Sequence, residues 1–351
     1  MRLPKSILYN RTILSIMLLT GLVSLFVGCS KNDDGSSIVL RIGSGNVMGL
    51  FNPTATVLTK IINTDISRNE VIAEDVTTEG SGDNINRLLN GKLNCALSDD
   101  IPAVMAFQGD EQYKNVKNHN KLRSLSSFFC DSIIFVVNAN SGIESFADIK
   151  GKKIAIADKG TAAIGDVCEY MLSFYNIKNN EFTRLSYDLS KSVEELEHGR
   201  LDGFLYVTAL PNPYLIGLSH SKKIKYEFIQ FHKELLQMLK DKFPSLTYIK
   251  IPSDGVYAKT ANQTEITTLG CRVLLITTTD MKDDIAYYLT KEICKYFPAY
   301  ESVYQLYKEV TPESMAKNLT IPVHQGAYRY YEEAGLAKFI PENLKPKSIK
   351  Q

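Results

Sequence analysis

Apolar runs of four to eight residues alternate along the chain with longer segments of helical spacing, and glycine or small polar residues separate them. Residues 39–42 form a short apolar strand. A glycine-rich loop follows, Gly43-Ser44-Gly45-Asn46-Val47-Met48-Gly49. Asn52-Pro53 then opens a helix carried by 56–62, since Asn is a good N-cap and Pro suits the first helical position. Residues 71–77 read as a strand, and Ser81-Gly82-Asp83-Asn84 caps a helix through Leu89 that stops at Gly91. Residues 95–97 are a short buried strand that delivers Ser98-Asp99-Asp100 to its end, with a helix to Phe107 behind it. Residues 122–129 and 133–137 read as two strands, 145–149 as one helical turn, and 153–157 as a strand. Lys159-Gly160-Thr161-Ala162-Ala163 leads into a helix to about Tyr175. Further on come a helix at 190–198, a strand at 201–207, a strand at 273–277, and helices at 282–296 and 325–333.

Strands alternating with helices argue for α/β lobes with mainly parallel sheets. In such sheets ligands bind beyond the carboxyl ends of the strands. Four loops lie there: 43–52, 98–101, 158–163 and 206–211. Two of them run from strand through glycine or small residues to a helix start, where free backbone N–H groups and the helix dipole favour an anion. Each loop is open to two readings, ligand contact or plain turn chemistry. Ser98-Asp99-Asp100 likewise reads as a helix cap or as a ligand contact. The glycine spacing is not a dinucleotide fingerprint, and the loop lacks the Lys and Ser/Thr of a phosphate-binding P-loop.

The first 28 residues are patterned differently. Arg2, Lys5 and Arg11 precede an uncharged apolar stretch, and Leu25-Phe26-Val27-Gly28-Cys29 closes it. This resembles the signal peptide and lipobox of bacterial lipoproteins, which implies cleavage at 28 and lipidation of Cys29. The competing reading is an uncleaved membrane helix, for which the segment is short. Both place the remainder outside the cytoplasm. Residues 30–37 are a polar tether spanning at most about 27 Å.

Composition narrows the classes. The 351 residues are 44% hydrophobic, enough for one large core or two modest ones. The net charge is +1, and loss of the three cationic residues of 1–28 takes it to −2. Neither value suggests nucleic acid as a partner. The basic run Lys222-Lys223-Ile224-Lys225 is a solvated face. Beyond Cys29 the cysteines are Cys95, Cys130, Cys168, Cys271 and Cys294, an odd number with wide spacing and no C-x-x-C. They read as small buried hydrophobes, with one disulfide left open. The five histidines have no metal-ligand spacing, no G-x-S-x-G elbow occurs, and Asp99 and Asp100 are too close in sequence to act as an acid/base pair across a substrate. A non-enzyme with no cofactor and no metal is expected.

In series, the loops are similar to those of the TAXI family of TRAP-transporter solute-binding proteins. The markers, in order, are residues 42–53, 80–91 (Gly80-Ser81-Gly82-Asp83-Asn84), 98–100, 141–143 with 146–152 (Ser141-Gly142-Ile143 and Phe146-Ala147-Asp148), 202–207, 273–277 with 289–291, and 324–335 (His324-Gln325-Gly326-Ala327). The resemblance implies a type II periplasmic-binding-protein fold: two α/β lobes, a ligand cleft and crossing hinge strands. Residues 38–139 with 250–351 would form one lobe and 140–249 the other. It further implies a monomeric receptor, exported to the periplasmic side and lipid-anchored. Such a receptor captures a small carboxylate solute, glutamate-like or a dicarboxylate such as 2-oxoglutarate, and delivers it to a TRAP-type permease driven by an ion gradient. Expected contacts are Gly45, Asn46, Val47, Gly49, Phe51, Asn52, Ser98, Asp99, Gly160, Thr161, Ala162, Ala163, Tyr206 and Tyr257. Three cleft positions depart from the family: Phe51-Asn52 stands for an aromatic pair, Ser98 for Gln, and Lys159-Gly160-Thr161-Ala162-Ala163 for a sequence richer in glycine and hydroxyls. The alternative is a surface-exposed, immunogenic interaction or sensor lipoprotein on the same fold, with transport lost or its ligand changed.

Overall fold

The computed structural model describes residues 38–46, 49–66, 71–156, 163–252, 257 and 264–346. The leader, Cys29, Val47, Gly160, Thr161 and Ala162 lie outside them. Ten strands form one mixed sheet. Strands β1 (Ile38–Gly43), β2 (Val71–Val76) and β3 (Cys95–Asp99) make a parallel trio with β1 in the middle. Strands β5 (Lys153–Ala155), β6 (Thr183–Leu185) and β7 (Gly203–Thr208) make a second parallel trio with β5 in the middle. Between the trios run two long antiparallel strands, β4 (Leu122–Asn138) and β10 (Ile266–Thr278). Short strands β8 (Tyr226–Phe228) and β9 (Thr247–Ile251) pair with β4 and β10.

This arrangement corrects two expectations. The sheet is mixed, parallel only within each trio. Residues 122–137 form one continuous strand, because Cys130, Asp131 and Ser132 keep pairing with β10 or β7 through the middle.

Among the described residues ten α-helices cover the sheet: α1 (Phe51–Ile61), α2 (Ser81–Leu89), α3 (Asp100–Gln108), α4 (Ala163–Phe174), α5 (Leu189–Glu197), α6 (Pro213–His220), α7 (Lys233–Lys242), α8 (Asp283–Tyr296), α9 (Pro312–Lys317) and α10 (Gln325–Glu333). The alternation of side chains along a strand assigns them to layers. Ile133, Phe135 and Val137 of β4 join a core with residues of α2, α3, α4 and α7 that reaches across both trios. Ile134 and Val136 point the other way, into a core shared with α5 and α6. Cys95 and Leu97 of β3 enter a third core with α1, α8 and α10. All five described cysteines are buried free thiols, with burial pushing those of Cys95, Cys130, Cys168 and Cys294 up to about 12. They pack as small hydrophobes.

The close approach of α8 and α10 depends on one glycine. A Cβ at Gly326 would overlap the backbone carbonyl of Asp283. His324 caps α10 and is itself buried. Its Nδ1 accepts from the Gly326 N–H at 3.1 Å, and its Nε2 lies 3.1 Å from the Met281 carbonyl, which only the Nε2–H tautomer satisfies. No described helix is long and apolar enough to cross a membrane.

Candidate functional site

The carboxyl ends of all six strands of the two trios converge on one cavity of about 400 Å³. It is lined after β1 by Gly45, Asn46, Gly49, Leu50 and Phe51, and after β2 by Glu79, Gly80 and Ser81. Asp99 closes β3. Ala163 and Ile164 begin α4, Ser186 to Leu189 follow β6, and Tyr206 to Thr208 end β7. Asp131, from the middle of β4, completes the wall. Five described helices also start here, α1 to α5. The N-cap positions of α1 (Leu50) and α2 (Gly80) carry no side-chain cap, so their first N–H groups are open to a ligand. At α5, by contrast, Asp188 accepts from the Lys191 N–H at 2.7 Å.

Asn84 builds the glycine loop from below. Its Nδ2 donates to the carbonyls of Ser44 (2.6 Å) and Leu97 (2.7 Å), and its Oδ1 accepts from the Thr78 hydroxyl at 2.7 Å. One buried amide thereby ties together the ends of β1, β2 and β3. Gly43 is required beside it, since a Cβ there would lie 2.5 Å from both Asn84 Oδ1 and a methyl of Leu93.

The electrostatics are acidic. Asp99 is 7% exposed, and burial with the neighbouring Asp100 charge pushes its carboxyl up to about 7 against an opposing hydrogen bond from Ser81. The Ser81 hydroxyl donates to Asp99 Oδ2 at 3.2 Å and accepts from the Asp99 N–H at 3.0 Å. Asp100 is fully buried and is raised to about 6 by burial, with Ser245 and Arg272 opposing the shift. Asp131, 7% exposed, is raised by burial first and the Asp99 charge second. Oδ1 of Asp99 and Oδ1 of Asp131 are buried with no hydrogen-bond partner. The Tyr206 hydroxyl, facing the Leu189 N–H, is pushed up to about 12 by burial and acts as a neutral group. Among the described residues no group of three or more His, Cys, Asp or Glu could hold a metal ion.

Of the expected contacts, Gly45, Asn46, Gly49, Phe51, Asp99, Ala163 and Tyr206 meet at this cavity. Three described ones do not. Ser98 is fully buried, and its hydroxyl donates to the Asp99 carbonyl at 2.9 Å, because the alternation of β3 turns it away from Asp99's side. Asn52 sits within α1 rather than at its cap, since the helix starts at Phe51, and it lines a separate hollow with Tyr304 and Gln305. Tyr257 is buried against Phe228 and accepts from the Asn212 N–H at 2.9 Å, so its hydroxyl is used structurally. Asp99 takes the N-cap position of α3 but makes no side-chain cap bond.

Several lining residues had sequence signals that pointed to them. Asp131 is the only acid in the 17-residue β4, a lone charge in the apolar run Phe128-Phe129-Cys130-Asp131-Ser132-Ile133. Gly80 and Ser81 follow a strand in the same way as the other loops. Asp188 follows β6, a three-residue strand too short to show a period.

A family model described as the NMT1-like family matches residues 42–335, and the chain belongs to that family. Its mixed α/β fold around a central sheet recurs in a solved structure. The likeness to XAC2383 from Xanthomonas citri, solved with ATP, has a TM-score of 0.51 at 9% identity, over 86% of this chain and 98% of that one. The periplasmic aliphatic sulphonate binding protein SsuA from Escherichia coli gives 0.40 at 13% identity, over 88% and 81%. A structure from the GshT and TcyBC glutathione import system of Streptococcus mutans gives 0.48 at 11%, over 78% and 95%. At these identities the likeness is one of fold.

Proposed function

We propose that the protein is an extracytoplasmic solute-binding receptor that hands a small carboxylate solute to a membrane permease. The observation that carries this reading is the single cavity at which six strand ends and the uncapped starts of α1 and α2 meet. Its volume of about 400 Å³ suits a molecule of amino-acid size. The N–H groups at Gly45 and at the starts of α1 and α2 receive the solute's anionic end. The long strands β4 and β10, which lie between the trios in the sheet order, serve as the hinge. Within this reading the transporter is of the TRAP type, as the TAXI resemblance implies. Cleavage at Gly28 and lipidation of Cys29 tether the receptor on the periplasmic side.

A thermal-unfolding screen tests the reading. The panel holds acidic amino acids, their amides, 2-oxo acids, dicarboxylates and sugars. A dye or calorimetric readout is used, because the chain has no Trp. A solute at about 100 times its Kd adds roughly 2.7 kcal/mol of stability. Stabilisation by a small carboxylate is the expected result. A flat response across the panel would sink the receptor role.

A further inference from the structure

Among the described residues four large aliphatic side chains are exposed, Ile38, Val39, Ile72 and Val303, and the first three are neighbours. Ile38, Val39 and Ile72 are 40%, 38% and 43% exposed. Val39 pairs in register with Ile72 across β1 and β2, so the two stand side by side on the face opposite buried Leu40 and Ala73. Ile38 opens β1 beside them, at the residue where the tether of 30–37 enters the fold. An exposed aliphatic cluster of this kind marks contact with a protein or a lipid surface. β2 ends the sheet, yet its edge is closed to a further strand at Ala73. The Asn63 Oδ1 accepts from the Ala73 N–H at 2.7 Å, and the Asn63 Nδ2 donates to the Ala73 carbonyl at 3.0 Å. A strand from a second copy would have to displace both bonds. Arg41 and Glu74, the next exposed pair along the face of Val39 and Ile72, stand in register and offset each other's charge.

We propose that this aliphatic end of β1 and β2 docks on a lipid bilayer, with Ile38, Val39 and Ile72 set into the headgroup layer beside the point where the leader enters the membrane. This docking presupposes the extracytoplasmic, membrane-tethered reading, and it holds for a lipidated Cys29 and for an uncleaved leader helix alike. Either leader brings the chain into the bilayer within at most about 27 Å of Ile38 along the tether. The bilayer is thus the one apolar surface always in reach of the cluster. Its contact removes aliphatic surface from water. It needs no anionic headgroup, because the Arg41 and Glu74 pair leaves the face neutral. The six residues of β1 span about 20 Å from the cluster to the cavity. Docking therefore keeps the captured solute within about that distance of the bilayer surface, where a permease opens.

The test attaches a fluorophore through Ile72→Cys in the full-length chain, reconstituted into phosphatidylcholine vesicles that carry a spin-labelled lipid as quencher. The described native cysteines are buried free thiols, and the unsubstituted chain taken through the same labelling supplies the blank for Cys29. Phe174→Cys, at the exposed last residue of α4, is the control. The expected result is emission at position 72 quenched at least about twofold, in low and high salt alike, with emission at position 174 unchanged. Adding Val39→Glu to the chain labelled at 72 should reverse the quenching while the chain still pellets with the vesicles. Equal emission changes at 72 and 174, quenching that high salt abolishes, or quenching that Val39→Glu leaves intact would each overturn the docking face and leave the tethered receptor standing. A chain that does not pellet with vesicles refutes the tether and the docking together. The substituted positions are exposed, and a melt matching the parent's shows that each variant is folded. Ile38→Cys repeats the reading from β1 if the Ile72 variant melts early.

Discussion

Asp99→Asn should make the empty protein more stable, and only at neutral to alkaline pH. In the folded chain the Asp99 carboxyl is raised from 3.8 to about 7, first by burial and then by Asp100. The native state therefore binds this proton more tightly than the unfolded chain does. Ionising Asp99 costs nothing below the unfolded value of 3.8, and the cost grows as pH rises to about 7. A shift of about three units corresponds to a ceiling of roughly 4 kcal/mol. Part of that is lost, because the new amide hydrogens need acceptors in a buried wall, at about 1 to 3 kcal/mol if unmet. A net gain of about 1 to 3 kcal/mol remains, or a rise of roughly 3 to 10 °C in Tm near pH 8. Differential scanning calorimetry of both proteins near pH 8 and near pH 4 reads the difference. Near pH 4 the gain should be gone and only the amide penalty left, a loss of about 1 to 3 kcal/mol. An equal gain at both pH values, or a loss near pH 8, would refute the claim that the Asp99 charge is held against its environment.

Other consequences are simpler. Asn84→Ala removes three hydrogen bonds and strands the Ser44 and Leu97 carbonyls, so chemical denaturation should show a loss of about 2 to 4 kcal/mol together with weakened solute binding. Replacing Gly326 by Val forces α8 and α10 apart, and the chain should fail to yield a cooperative melt. His324→Ala removes the cap of α10 and should cost about 1 kcal/mol by denaturant titration. Burial lowers the His324 pKa below 6.5, so its contribution in the parent is full above 6.5 and is lost as pH falls through the lower folded value. The pH dependence of His324→Ala should be flatter on the acid side.

The elements that the sequence made legible are those with a full period and a clean stop. The α10 bounds at 325–333, and the strands and helices around 39–107, fall within a few residues of the sequence reading. The carboxyl-end rule also located the cavity, since three of the four loops it chose, 43–52, 158–163 and 206–211, contribute residues to it, and the fourth contributes Asp99. Short elements carry too little pattern: β6 and β8 are three residues each, and β9 alternates weakly on an edge. Cys130-Asp131-Ser132 reads as a break in the apolar run of 122–137, yet it stays within β4, because a cavity wall is where a strand can hold polar residues. Ser98 and Tyr257 are contacts that the resemblance implies, and the sequence pattern alone does not show where their side chains go. Strand alternation settled the first, and a tertiary hydrogen bond to Asn212 settled the second.

If a solute binds in the cavity at the strand ends, filling that cavity must abolish binding. The direct measurement is calorimetric titration of the solute that stabilises the protein most, against the parent and against Ala163→Phe, which places a ring into the cavity from the first residue of α4. One solute per chain is expected for the parent, and no measurable heat for a folded Ala163→Phe protein. Equal binding by the two would place the solute elsewhere and contradict that expectation.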